Sequence, residues 1–235
     1  MNIDHIVILV TDLNNAVKEY TSRGFTVTPG GEHTGGATHN ALITFADGAY
    51  IELLAFKVPG KTEHRWDRYR PYPGVIDYCL AGGNLTETVA AIHARGLTYI
   101  AGPEMGRLRP DGVPLRWRSA MPPSQNLGLP FIIEDVTPRE LRVPGGTDWQ
   151  HENGVSGVAQ LDVMVANEAE ARQNFEALLG QQARQGNGLA FDLNDAALRV
   201  SVPQPESGEG KLLASRGAGP WKLTLRVSGG GTLVI

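Results

Sequence analysis

The chain has 235 residues, of which 41% are hydrophobic and 20% charged, a balance typical of folded globular proteins and far from the polar, highly charged signature of disorder. Twenty-one Lys and Arg against 25 Asp and Glu give a net charge of −4. No basic run tracks a phosphate backbone, and the longest uncharged stretch, Ser119 to Ile133, is broken by Pro122, Pro123, Ser124, Gln125 and Asn126, so neither nucleic acid nor a membrane is expected as a partner. The single cysteine, Cys79, and a start without a basic stretch ahead of an apolar one point to the cytoplasm.

Taken in chain order, His5 to Val10 alternates with period two, as a strand with one buried face requires. Asp12 can cap a helix whose stripe is Leu13, Val17 and Tyr20, and Gly24 ends it. Strands are expected at 25–28, 39–45 and 50–56, the last two joined by a turn at Asp47-Gly48, giving the order βαβββ. Residues 57–73, rich in charge and proline, read as a surface linker. The order restarts at Gly74: a strand at 75–80, a cap at Asn84, a stripe of Leu85, Val89 and Ile92, and a stop at Gly96. In both copies the stripe lies 11, 7 and 4 residues before the stopping glycine, the mark of an internal repeat. Strands at 97–100, 115–120 and 131–134 complete the second copy, with an insertion at 107–112. A weaker third copy starts near Gly157, with a helix on Ala171, Phe175 and Leu178, strands at 189–193 and 196–202, a loop at 203–210 and a last strand at 221–227. The expectation is an α+β protein: paired βαβββ modules (1–56 and 74–136) in a domain over 1–140, and a third, partial βαβββ module over 155–235.

Superposing the repeats aligns His5 with Asp77, each 19 residues before its stopping glycine. It also matches Glu52 with Glu134 on the last strands, each read as opposite the helix-packing face that carries Ile51 and Leu53, or Ile133. One imidazole and three carboxylates on a shared concave face are competent to hold a divalent cation and leave positions for water or substrate. Such an oxygen-rich set suits Mn²⁺, Mg²⁺ or Fe²⁺ better than Zn²⁺. Glu134 and Glu52 are the candidates to move a proton. Arg109, Arg116 and Arg118 are candidates to clamp a carboxylate or phosphate. His39 reads as a strand-edge residue and Cys79 as a small buried one. The third copy places Gln160 or Leu161 opposite His5, so it reads as structural. Its open sheet face calls for cover from the C-terminal strand, from the first two modules or from a second copy in a homodimer.

The segments Asp4-His5-Ile6-Val7, Asp12-Leu13, Gly24-Phe25, Asn40-Ala41-Leu42, Tyr50-Ile51-Glu52-Leu53-Leu54, Arg109-Pro110-Asp111-Gly112, Leu115-Arg116-Trp117 and Pro130-Phe131-Ile132-Ile133-Glu134 resemble the glyoxalase-like domain family of the vicinal oxygen chelate superfamily. The resemblance covers residues 1 to about 140. It implies His5, Glu52, Asp77 and Glu134 as metal ligands, with Asp77 departing from the His or Glu usual at its position. It also implies that His33 and Asn40 border the substrate and that Trp117 lines its pocket, beside Arg109 as the candidate clamp. The expected activity is that of a metal-dependent lyase, isomerase or dioxygenase acting on a small molecule chelated through adjacent oxygens. The alternative is a metal-free binding protein of the bleomycin-resistance type.

Overall fold

Both expected modules form, and each begins with a strand and a capped helix. In the computed structural model, which describes residues 1–60, 62, 64–194 and 196–235, β1 (Asn2–Leu9) leads into α1 (Leu13–Ser22). The Asp12 side chain accepts from the Asn15 N–H at 2.8 Å, and Gly24 follows the helix at φ +82°. Three strands complete the module: β2 (Thr28–His33), β3 (Thr38–Thr44) and β4 (Tyr50–Phe56). The second module repeats the plan with β5 (Gly74–Ala81), α2 (Leu85–Ala94), β6 (Ile100–Leu108), β7 (Pro114–Met121) and β8 (Phe131–Asp135). Strand bounds differ from expectation most in the second strand of each module, which in the second module runs 100–108 rather than 97–100. In the first module it runs 28–33 rather than 25–28, and Arg107 belongs to β6, with only the hairpin turn at 109–113 projecting.

The eight strands close a barrel in the order β1-β4-β3-β2-β6-β7-β8-β5. One seam is the antiparallel β1–β5 pair; the other is short, with Glu32 opposite Leu108 and His33 opposite Arg107. Alternation sorts the side chains. Ile6, Ile8, Ile51, Leu53, Tyr78 and Leu80 share the cluster that holds the helix residues Tyr20, Leu85 and Ile92, while Val7, Leu9, Leu54, Cys79, Trp117, Phe131 and Ile133 form a separate cluster inside the barrel.

A short helix, α3 (Arg139–Arg142), follows the barrel. The third module is a full βαβββ unit: β9 (Val155–Met164), α4 (Glu168–Leu179), β10 (Arg184–Gly186), β11 (Gly188–Leu193) and β12 (Ala196–Ser201). To these the chain adds α5 (Gly208–Arg216), β13 (Gly219–Val227) and β14 (Gly231–Val234), in the sheet order β10-β11-β12-β9-β13-β14. The helix α5 begins inside the segment read as a loop, because Ser207 caps it by accepting from the Gly210 N–H at 3.0 Å. The apolar face of this sheet is covered from within the chain, while the opposite face carries Gln160, Asp162, Arg199 and Thr224. Val158, Leu161, Leu223 and Leu225 join the same apolar cluster as the barrel's helices. Arg216 Nη1 donates to the Val75 carbonyl at 2.8 Å, and Arg95 Nη2 to that of Leu178 at 3.0 Å. No helix among the described residues is long and apolar enough to cross a membrane.

Candidate functional site

Glu52 sits at the centre of a barrel cavity of about 170 Å³. Its position on β4 points inward because the alternate residues Ile51 and Leu53 pack toward the helices. One oxygen, Oε1, accepts from Asn40 Nδ2 at 2.6 Å and lies 3.3 Å from His33 Nε2; the other, Oε2, lies 3.6 Å from His5 Nε2. Burial alone pushes this carboxyl group's pKa up, but hydrogen bonding and charge from His33, the charge of His5 and the Asn40 hydrogen bond outweigh it and hold the pKa at about 2. Glu52 is therefore an anion at every physiological pH.

Each partner is fixed from behind. His5 Nδ1 lies 2.6 Å from Asp4 Oδ1, and its ring stacks on Tyr50 at 4.7 Å. His33 Nδ1 lies 2.9 Å from Thr38 Oγ1, with its ring edge-on to Trp117. Asn40 reaches Glu52 beside Gly30; a Cβ there would fall 1.9 Å from Asn40 Oδ1, so only glycine leaves the amide its place. Asp4 is fully buried and is held well below the usual carboxylate range: burial opposes ionisation, but Arg142 and His5 more than offset it. Arg142 contacts Asp4 at 2.9 and 3.0 Å, Asp135 at 2.5 Å and the Tyr50 hydroxyl at 2.8 Å. Arg139 also pairs with Asp4.

Part of the supposed surface linker folds over the barrel. Trp66 and Tyr69 are buried, and His64, Arg65 and Trp66 line the cavity. The Arg65 guanidinium lies over Trp66 at 4.7 Å and over Phe131 at 4.4 Å.

Of the residues expected at the site, His5, His33, Asn40, Glu52 and Trp117 line this cavity. Asp77 does not. It is ion-paired with Arg65, accepts from Trp66 Nε1 at 2.7 Å, and lines a neighbouring cavity with Pro122, Leu129 and Pro220. Arg109 is held by Asp111 at 2.9 Å and by the Leu141 carbonyl at 3.3 Å, and Arg116 by Glu104 at 3.3 Å; neither lines the cavity. Glu134 lies outside it, paired with Arg118.

The ladder gives the reason for Glu134. Val7 faces Glu52 in the β1–β4 pair, and Cys79, its repeat equivalent at the same offset that relates His5 to Asp77, faces Phe131 in the β5–β8 pair. Phe131, not Glu134, therefore stands where Glu52 stands. The helix-facing residue of β8 is Ile132, and Ile133 faces the cavity, the reverse of the expected parity, which turns Glu134 outward. The four expected metal ligands are thus not brought together. Among the described residues, the group of three or more ligand-type side chains whose donor atoms converge is Asp4, His5 and Cys79. Asp4 is already committed to Arg142 and Arg139, and burial pushes the Cys79 thiol well above its ordinary pKa, so this group does not fit a divalent cation either.

Arg107, His64, Trp66, Phe131 and Arg142 are cavity residues that the sequence did not disclose. Composition marked 57–73 as linker and 107–112 as insertion, and nothing in the period-two pattern drew attention to α3. Trp66, a large aromatic within a charged stretch, was the available signal.

The family model for the glyoxalase-like domain matches residues 3–179, through the end of α4. The chain belongs to this family. The glyoxalase-like domain is a member of the vicinal oxygen chelate superfamily. Among solved structures, this chain shares its fold with a hypothetical protein from Staphylococcus aureus, at 16% identity over 86% of each chain and a TM-score of 0.70. Lower similarity is found to methylmalonyl-CoA epimerase from Streptomyces coelicolor in complex with 2-nitronate-propionyl-CoA, at 21% identity over 58% of this chain and 99% of that one, TM-score 0.44. The epimerase from Mycobacterium tuberculosis gives 19%, 56% and 85%, TM-score 0.43. A search among curated protein sequences finds no match.

Proposed function

We propose that this glyoxalase-like domain takes a small oxygenated molecule into the barrel cavity and holds it with its own side chains, without a divalent cation. The observation that carries this reading is the state of Glu52, whose two oxygens are already engaged by Asn40, His33 and His5. The second module supplies Phe131 where a ligand would be needed, and its Asp77 is bound to Arg65. A divalent cation among His5, His33 and Glu52 would add two positive charges beside the buried Arg107, with Glu52 as the one carboxylate that lines the cavity among the described residues. Uncompensated charge at low dielectric is strongly unfavourable. The cavity instead offers imidazole, amide and guanidinium groups to substrate oxygens, among the rings of Trp66, Trp117 and Phe131. The test is metal titration of EDTA-treated protein with Mn²⁺, Mg²⁺, Fe²⁺ and Zn²⁺. No stoichiometric uptake is expected; saturable uptake that Glu52→Ala abolishes would overturn the reading.

A second reading, an isomerase-type enzyme moving a proton, is favoured by His33. Its Nδ1 is oriented by Thr38 and its Nε2 faces Glu52, the arrangement in which a carboxylate holds an imidazole for acid–base work. Glu52 itself, with a pKa near 2, is poorly matched to proton abstraction at neutral pH. Solvent deuterium entering a bound ligand at the carbon next to its carbonyl, lost in His33→Asn, is the expected signature. Binding without exchange leaves a binding protein.

A further inference from the structure

Charged groups buried in proteins are ordinarily paired, since an isolated one loses hydration that nothing replaces. Among the described residues around this cavity, the buried carboxylates are paired and one guanidinium is not. Asp4 has Arg142 and Arg139, Asp77 has Arg65, and Glu52 has His5 and His33. Arg107 is 6% exposed and lines the cavity, yet it meets no carboxylate among the described residues. Its Nη1 donates to the Gly30 carbonyl and its Nη2 to that of Arg142 at 3.4 Å, which leaves most of the guanidinium's N–H donors without an acceptor among the described residues. In the β2–β6 seam it stands directly opposite His33, so its charge lies at the polar end of the cavity.

We infer that a carboxylate of the ligand completes Arg107, and that the cavity accepts a small monocarboxylic acid with a flat apolar body. This deepens the proposed metal-free binding and rests on it. A guanidinium fork matches a carboxylate's two oxygens. A phosphate dianion fits less well, because the single charge of Arg107 faces the ionised Glu52, which is close enough to act on it electrostatically. The body is set by the rings of Trp66, Trp117 and Phe131, which line the same cavity and offer aromatic contact. Size limits it further: the cavity is about 170 Å³, and one of roughly 150 Å³ takes a benzene ring, so one ring or its equivalent fills it.

The experiment is titration of the full chain with benzoate, benzamide and phenylphosphonate, followed by tryptophan fluorescence and ligand-observed NMR, with and without EDTA. Benzoate is expected to bind saturably and at least about tenfold more tightly than benzamide, and phenylphosphonate more weakly than benzoate. Arg107→Gln is expected to erase the preference for the acid. Arg107→Lys, which keeps the charge but not the fork, should retain part of it, and decides the matter if the Gln variant does not fold. Equal affinity for acid and amide, unaffected by EDTA, would overturn this inference and leave metal-free binding standing. Acid binding that EDTA abolishes and Arg107→Gln preserves would overturn both. No benzoate binding at millimolar concentration, or tighter binding of phenylphosphonate, would overturn the assignment of a monocarboxylate.

Discussion

On the wall built by β1 and β4, His5 and Glu52 face the cavity with His33 and Asn40 beside them; at the equivalent positions of β5 and β8 stand Asp77, held by Arg65 and Trp66, and Phe131. The backbone repeats and the chemistry does not. A βαβββ module needs only its helix-facing apolar stripe and its turns, and both copies keep these. The inward residues carry no such constraint, so one copy brings His5, His33, Asn40 and Glu52 to the cavity and the other brings Arg107 with the rings of Trp117 and Phe131.

The contrast predicts unequal costs of substitution on the two walls. The largest effect is expected from Arg142→Ala. It leaves fully buried Asp4 with Arg139 and His5 only and deprives Asp135 and the Tyr50 hydroxyl of the Arg142 guanidinium, which should cost about 3–5 kcal/mol in urea unfolding. A loss under about 1 kcal/mol would show that the polar wall is not held by this network.

Next is Glu52→Gln. The carboxyl group is held at about 2 when folded against an ordinary 4.5, so its contribution is fully present above about pH 4.5 and disappears as pH falls toward 2. The variant should lose on the order of 3 kcal/mol of stability at neutral pH and show a flatter acid limb between those values. Unfolding curves from pH 7 to 2 that run parallel for both proteins would contradict the placement of Glu52 among His5, His33 and Asn40.

Asp77→Asn should cost less, about 1–2 kcal/mol, because the ion pair with Arg65 is partly solvated and the amide can still accept from Trp66. Ligand affinity should shift with it only as far as Arg65 and Trp66 move over Phe131, within about threefold by titration. The smallest effect belongs to Glu134→Gln. Its pair with Arg118 is half-exposed and lies outside the cavity, so stability should stay within about 0.5 kcal/mol and binding should not change. A large loss of binding in this variant would bring Glu134 back to the cavity and break the contrast between the walls.

Legibility followed the range of the interaction. The helices of both modules were readable because their stripes, Asp12 and Asn84 caps and Gly24 and Gly96 stops are local. His5 and Glu52 were readable as inward because alternation within one strand fixes a face. His33, Asn40 and Trp117 came through the resemblance and line the cavity. The helix α5 was missed where its Ser207 cap follows a proline-rich run, and β14 carries too short an apolar pattern to be seen.

The sequence by itself determined the repeated βαβββ order, the family and the polar character of the first wall, all of which rest on residues near one another in the chain. Only the tertiary structure decided the register of β8 against β5, which puts Phe131 opposite Cys79 and turns Glu134 outward. It also decided the return of His64, Arg65 and Trp66 over the barrel, and the arrival of Arg107 and Arg142 at the cavity. The physical reason is that period two specifies a face but not a register, and a slip of one residue exchanges the two faces. Pairings between distant segments are set by packing and charge neutralisation across the closed barrel, which no single stretch of sequence contains.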